Sequence, residues 1–157
     1  MLENVRRAAI SAVSKVFETM FFIFPDLREE SGGSSPSLFQ VAEDSLRGEI
    51  GFRGNAAGTV RLYLPFCLAL AMASNFMGCE GEAPSEIQVK DTVNELCNMI
   101  CGNLVSQWDK KTVWNISLPR TGPISSPEAE KEWTASEIIL DFMAEEQGLR
   151  LAIQFEA

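Results

Sequence analysis

Hydrophobic positions along the chain recur in two rhythms, one every three to four residues and one every second residue. Leu2, Val5, Ala9, Ala12, Val16 and Met20 keep the first and predict a helix from Leu2 to about Phe22, which Pro25 and Asp26 stop. Thr59–Leu64 keeps the second, with Val60, Leu62 and Leu64 set against Thr59, Arg61 and Tyr63. It pairs with Glu49–Phe52 across Gly54-Asn55-Ala56-Ala57-Gly58, a hairpin loop with its turn residues in place. Pro65 opens a second helix, Phe66–Met77, which Gly78 closes. A long third helix spans Glu86 to Trp108. Val113–Leu118, Trp133–Met143 and Leu149–Phe155 read as strands, the last two joined by the turn Glu145-Glu146-Gln147-Gly148, and Leu38–Val41 as a short one. Loops are expected at Glu29–Ser37, which is rich in Gly and Ser, at Cys79–Ser85, and over most of Thr121–Glu132. Strands that follow one another through hairpins predict an α+β fold, a largely antiparallel sheet with helices packed on one face. At 157 residues the chain makes a single domain, 1–157, with a flexible loop at about 29–37.

The third helix departs from an ordinary amphipathic pattern. At 100° per residue, Val89, Val93, Leu96, Cys97, Ile100 and Leu104 form a core-facing stripe. Asp91, Asn94, Glu95, Asn98 and Gly102 gather on the other side. Asn is a weak helix former, and Gly inside a helix costs about 1 kcal/mol relative to Ala. Free choice on a solvated face would favour Ala, Lys or Glu. One account is that something approaches this face: Gly102 leaves room for it, while Glu95 and Asn98, three apart, present a carboxylate beside an amide. The plain alternative is a solvated face with incidental asparagines.

Composition narrows the chemistry. The chain has no histidine, which excludes a Ser-His-Asp triad, a Cys-His pair, a histidine metal site and an imidazole pH switch. Thirteen Lys and Arg against 22 Asp and Glu leave a net charge of −9. That field repels nucleic acid and anionic membranes, and the longest basic runs are only Arg6-Arg7 and Lys110-Lys111. Cys67, Cys79, Cys97 and Cys101 contain no Cys-x-x-Cys. They read as small apolar residues in a reducing compartment, with a metal or redox pair at Cys97 and Cys101 as the alternative. Val16–Phe24 is apolar, but Glu18 interrupts it and it is too short to span a bilayer, so a cytoplasmic location is expected.

The run Asp91-Thr-Val-Asn-Glu95-Leu-Cys-Asn98-Met-Ile-Cys-Gly102-Asn103 resembles the signature helix of the CheX family of chemotaxis phosphatases, in the CheC/CheX/FliY group. The family pattern is Asp or Ser, three residues, Glu, two residues, Asn, and Asp91, Glu95 and Asn98 match it. The likeness extends to Val16–Met20, the hairpin Gly51–Pro65 and Asn115–Pro119, and covers most of Val5–Pro127. It implies a phosphatase that hydrolyses the aspartyl phosphate of a CheY-like response regulator, with Glu95 and Asn98 as catalytic residues and Asp91, Asn94 and Gly102 against the partner. Magnesium is then expected on the phosphorylated receiver domain, with no cofactor or metal on this chain. The resemblance also implies a homodimer joined through sheet edges, for which Val60–Leu64, Val113–Leu118 and Ile138–Phe142 are apolar enough. In two-site relatives the first helix repeats Glu-x-x-Asn; here Glu18 is followed by Phe21, so one site is expected, with Phe17, Phe21 and Phe22 packing. A non-catalytic receiver-binding module and a dimerisation domain are the readings left open beside it.

Overall fold

A computed structural model describes residues 1–31, 40–78 and 82–157, with the backbone alone for 29–31. Seven strands, β1 (Asp26–Ser31), β2 (Leu46–Arg53), β3 (Ala57–Leu64), β4 (Asn115–Ile116), β5 (Arg120–Pro123), β6 (Ile138–Ala144) and β7 (Gln147–Phe155), form one sheet. Its order is β1-β6-β7-β3-β2, with β4 and β5 in succession along the outer edge of β2. Every pair is antiparallel. Helices α1 (Leu2–Val16), α2 (Phe66–Met77) and α3 (Glu86–Trp108) pack with one face of this sheet into the main core. The fold is therefore the α+β arrangement that the hairpin pattern predicts.

Alternation sets the two faces. Leu62 and Leu64 of β3, Ile138 and Leu140 of β6, and Leu151 and Ile153 of β7 enter the main core. Tyr63, Ile139 and Ala152 turn to the opposite face and meet Ala129 and Trp133 of a fourth helix, α4 (Ser126–Thr134). This helix replaces the loop expected over Thr121–Glu132 and takes Trp133 out of the expected strand. Its start is written in Ser125-x-x-Glu128: the Ser125 hydroxyl accepts from the Glu128 N–H, and Pro127 lies in the first turn. Glu132 ties α4 to the sheet, accepting from the Tyr63 hydroxyl at 2.8 Å and pairing with Arg47 and Arg61. Burial of Glu49 works against its charge, but the Arg61 hydrogen bond and the Arg47, Arg61 and Arg120 charges outweigh it and hold the carboxyl below its usual range. Asp141 and Arg150, both buried, form a two-pronged pair at 2.7 Å across β6 and β7.

Other differences have local causes. β1 is too charged to show alternation, and it lies at the sheet margin, where charged residues discourage pairing with another chain. It takes in 29–31 of the expected loop; the rest of that loop, 32–37, lies outside the described residues. So do the first two positions of the expected strand Leu38–Val41, whose last two, Gln40 and Val41, are not in a strand, and positions 79–81 of the next loop. The expected strand Val113–Leu118 shrinks to β4, although the Ser117 N–H still donates to the Gly51 carbonyl at 2.9 Å; Pro119, which has no N–H to donate, then interrupts the ladder, and Leu118 is left 88% exposed before β5 resumes pairing with β2. Val60–Leu64 and Ile138–Phe142 are interior strands, so of the three apolar stretches only Val113–Leu118 lies at an edge. The first helix turns π-helical over Phe17–Phe21 and ends at Phe22 in the left-handed region. Phe17 and Phe21 are buried, but Phe22 is 77% exposed, against the expectation that all three pack. Among the described residues no helix is long and apolar enough to cross a membrane.

Gly48 fixes how closely α3 approaches the sheet. A Cβ there would lie 2.5 Å from Cys97 Sγ and 3.0 Å from Val93 Cγ1. Gly48→Ala is expected to cost about 1–3 kcal/mol by overpacking. Urea denaturation checks this: the loss should shrink in a Cys97→Ala background, and equal losses in both backgrounds would show that the close approach is not the cause.

Candidate functional site

Helix α3 is held at both ends and along its buried side. At its start Ser85 and Gln88 form a capping box, in which Ser85 Oγ accepts from the Gln88 N–H and Gln88 Oε1 accepts from the Ser85 N–H at 2.8 Å. At its end Trp108 packs with Phe52, Trp114 and Phe155, ring centres 5.0–6.1 Å apart. Val89, Val93, Leu96, Cys97, Ile100 and Leu104 are all buried, as the spacing predicts. Burial pushes the Cys97 and Cys101 thiols up to about 12. They are free thiols that stay protonated at neutral pH and act as packing groups.

The opposite side of this rigid rod carries the candidate residues. Asp91, Glu95 and Asn98 are exposed, at positions i, i+4 and i+7, and so line up in one stripe. None of the three side chains has a hydrogen-bond or ion-pair partner among the described residues, whereas Asn103 bonds back to the Met99 carbonyl at 2.9 Å. The stripe ends at Gly102, where an added Cβ would meet nothing within 4 Å. No packing among the described residues therefore demands glycine there, and its helix cost finds no return among them. Asn94 differs: it is half-buried, and its Oδ1 accepts from the Thr121 hydroxyl of β5 at 2.6 Å. Of the five sequence-derived residues, the fold thus brings Asp91, Glu95, Asn98 and Gly102 onto one open surface and sets Asn94 at its margin against β5.

Chemically this surface offers two carboxylates and an amide on a pre-formed scaffold. Among the described residues no three acidic or thiol side chains gather as metal ligands. The stripe runs along the exposed side of a helix. It suits contact with another macromolecule that brings its own reactive group. On the first helix, Glu18 is exposed, but Phe21 faces inward, its ring centre 5.9 Å from Phe17 and 5.8 Å from Phe76. The position three residues after Glu18 thus holds a buried ring and no amide. Thr121 was not legible as a neighbour of the site, because only the pairing of β5 with β2 brings it to α3.

The family model described as chemotaxis phosphatase CheX matches residues 47–143, more than half of the chain and all of α3. No curated protein matches the sequence. Among solved structures, a chemotaxis protein CheX from Desulfovibrio desulfuricans superposes with a TM-score of 0.73 at 17% identity, covering 97% of this chain and 99% of that one. The CheX–CheY–BeF3–Mg2+ complex from Borrelia burgdorferi gives a TM-score of 0.76 at 19% identity, covering 96% and 97%. FliY from Thermotoga maritima gives 0.63 at 13% identity, covering 96% and 87%.

Proposed function

The chain belongs to the chemotaxis phosphatase CheX family, and from that premise we propose that it hydrolyses the aspartyl phosphate of a CheY-like receiver domain docked on the exposed side of α3. The observation that carries this reading is the unpartnered stripe Asp91–Glu95–Asn98, ending in the open position Gly102. A neighbour of the same fold has been crystallised as a complex with CheY, BeF3 and Mg2+, which supports a receiver as the partner.

An aspartyl phosphate is an activated mixed anhydride. Its hydrolysis needs a water placed in line with the scissile bond, so positioning supplies most of the rate. The water oxygen attacks phosphorus, the P–O bond to the receiver aspartate breaks, the electron pair leaves with the carboxylate, and both water protons stay with the released phosphate as dihydrogen phosphate. Asn98 both donates and accepts, so it orients that water without acting as a base. Glu95 would repel the phosphoryl group. It serves better as a docking group for a receiver lysine in a charge-assisted hydrogen bond. Asp91, one turn nearer the positive helix start, extends the docking strip. Magnesium belongs to the receiver in this scheme, and the exchange takes place in the cytoplasm.

The test is phosphate release from a panel of phosphorylated receiver domains. Substoichiometric protein should speed release from at least one of them. Binding without faster release would leave a receiver-binding module and refute the phosphatase reading.

A homodimer joined through a sheet edge completes the proposal. The β4–β5 margin supports it, since Val113 and Leu118 are 84% and 88% exposed beside a row of partly unpaired backbone groups. Light scattering at micromolar concentration should give twice the chain mass, and a monomer would refute it.

A further inference from the structure

The contact between β5 and α3 reaches the margin of the candidate stripe. Thr121 stands opposite Gly48 in the β2–β5 register. A Cβ on Gly48 would lie 3.5 Å from Thr121 Oγ1, an ordinary van der Waals contact, and 2.5 Å from Cys97 Sγ, so the glycine lets α3 come close to the strand beside Thr121. Its hydroxyl donates to Asn94 Oδ1 at 2.6 Å. An amide whose oxygen is held on one side must turn its nitrogen to the other. The Asn94 Nδ2 group has no acceptor among the described residues, and it is not among the polar atoms buried without a partner. It is therefore reached by solvent. On the helix Asn94 is one turn before Asn98 and nearly one turn after Asp91, which places those donors beside the stripe.

We infer that Thr121 is a positioning residue that locks the Asn94 amide with its N–H donors outward, so that this margin of α3 recognises an acceptor oxygen on the docked receiver. The inference rests on the receiver-binding part of the proposed function and needs no catalysis. Without the hydroxyl the amide is free to rotate, and half of its orientations offer the receiver an acceptor in place of a donor. One neutral hydrogen bond corresponds to roughly a two- to twelvefold change in affinity.

The experiment is titration of a receiver domain loaded with beryllofluoride and magnesium, so that binding is read apart from turnover. Thr121→Val should weaken binding about twofold, because about half of the amide's orientations stay competent. Thr121→Ser, which keeps the hydroxyl, should bind as the parent does. Asn94→Asp keeps the acceptor for Thr121 but lacks the N–H donors altogether, and should bind more weakly than Thr121→Val, by up to about twelvefold relative to the parent. In an Asn94→Ala background, Thr121→Val should cause no further loss, a result that general loosening of β5 would not produce. Parent-like binding by Thr121→Val overturns the inference, and so do equal losses in Val and Ser or additive losses in the double variant. If the parent binds the loaded receiver but does not speed phosphate release, the phosphatase reading fails and this inference is still decided by the titrations. A parent that binds no receiver overturns both.

Discussion

Asn98→Ala is expected to lower phosphate release by about a hundredfold or more while leaving receiver affinity nearly unchanged. The expected size comes from the loss of one preorganised hydrogen-bond group aimed at a reacting centre, which costs about 2.7–4 kcal/mol in comparable sites. The surroundings of Asn98 make this a clean test. Its side chain is exposed and has no partner among the described residues, so its removal breaks no internal contact. Ala is also the better helix former, so the unfolding midpoint should hold or rise slightly. A loss of activity can then be read as lost chemistry and not as lost fold. Steady-state phosphate release with a fixed phosphorylated receiver, paired with a binding titration, makes the measurement. Activity within about twofold of the parent would sink the water-orienting role.

The extent to which such a site can be read from residues alone follows from which forces shape it. The bounds of α3 are legible because its apolar stripe is long and its ends carry local signals, the Ser85–Gln88 cap and the turn at Asp109. Asp91, Glu95, Asn98 and Gly102 are legible for a related reason: spacing along one helix fixes which side chains share a face, and the oddity of Asn98 and Gly102 as helix residues marks that face. β1 was not legible, because a charged edge strand such as Asp26–Ser31 lacks the alternation that burial imposes on interior strands. α4 buries few residues, Ala129 foremost, so periodicity is silent there; the Ser125-x-x-Glu128 cap with Pro127 was the usable signal. The Thr121–Asn94 bond is a third kind of fact. It depends on β5 lying beside β2 with Thr121 opposite Gly48, a register that no local pattern states.

Glu95→Lys is expected to weaken receiver association far more than Asn98→Ala does. If Glu95 docks against a receiver lysine, reversing its charge replaces an attraction with a like-charge contact, and losses of several kcal/mol attend such reversals. Glu95 is exposed on α3 and unpaired within the molecule among the described residues, so the substitution leaves no buried partner behind and the fold should hold. Glu18 supplies the control. It is also an exposed glutamate on a helical segment, but its neighbour three residues on, Phe21, is buried between Phe17 and Phe76 and can orient no water. Glu18→Ala should therefore change phosphate release by less than about twofold, whereas Glu95→Ala should remove most of it through loss of one charge-assisted contact. Assays of both alanine variants on one phosphorylated receiver, with titrations of Glu95→Lys and Asn98→Ala, decide the matter. Equal affinities for the two α3 variants would refute the docking role of Glu95. A comparable loss from Glu18→Ala would mean that the first helix carries a second working site, because Glu18 makes no hydrogen bond or ion pair among the described residues that could otherwise account for it.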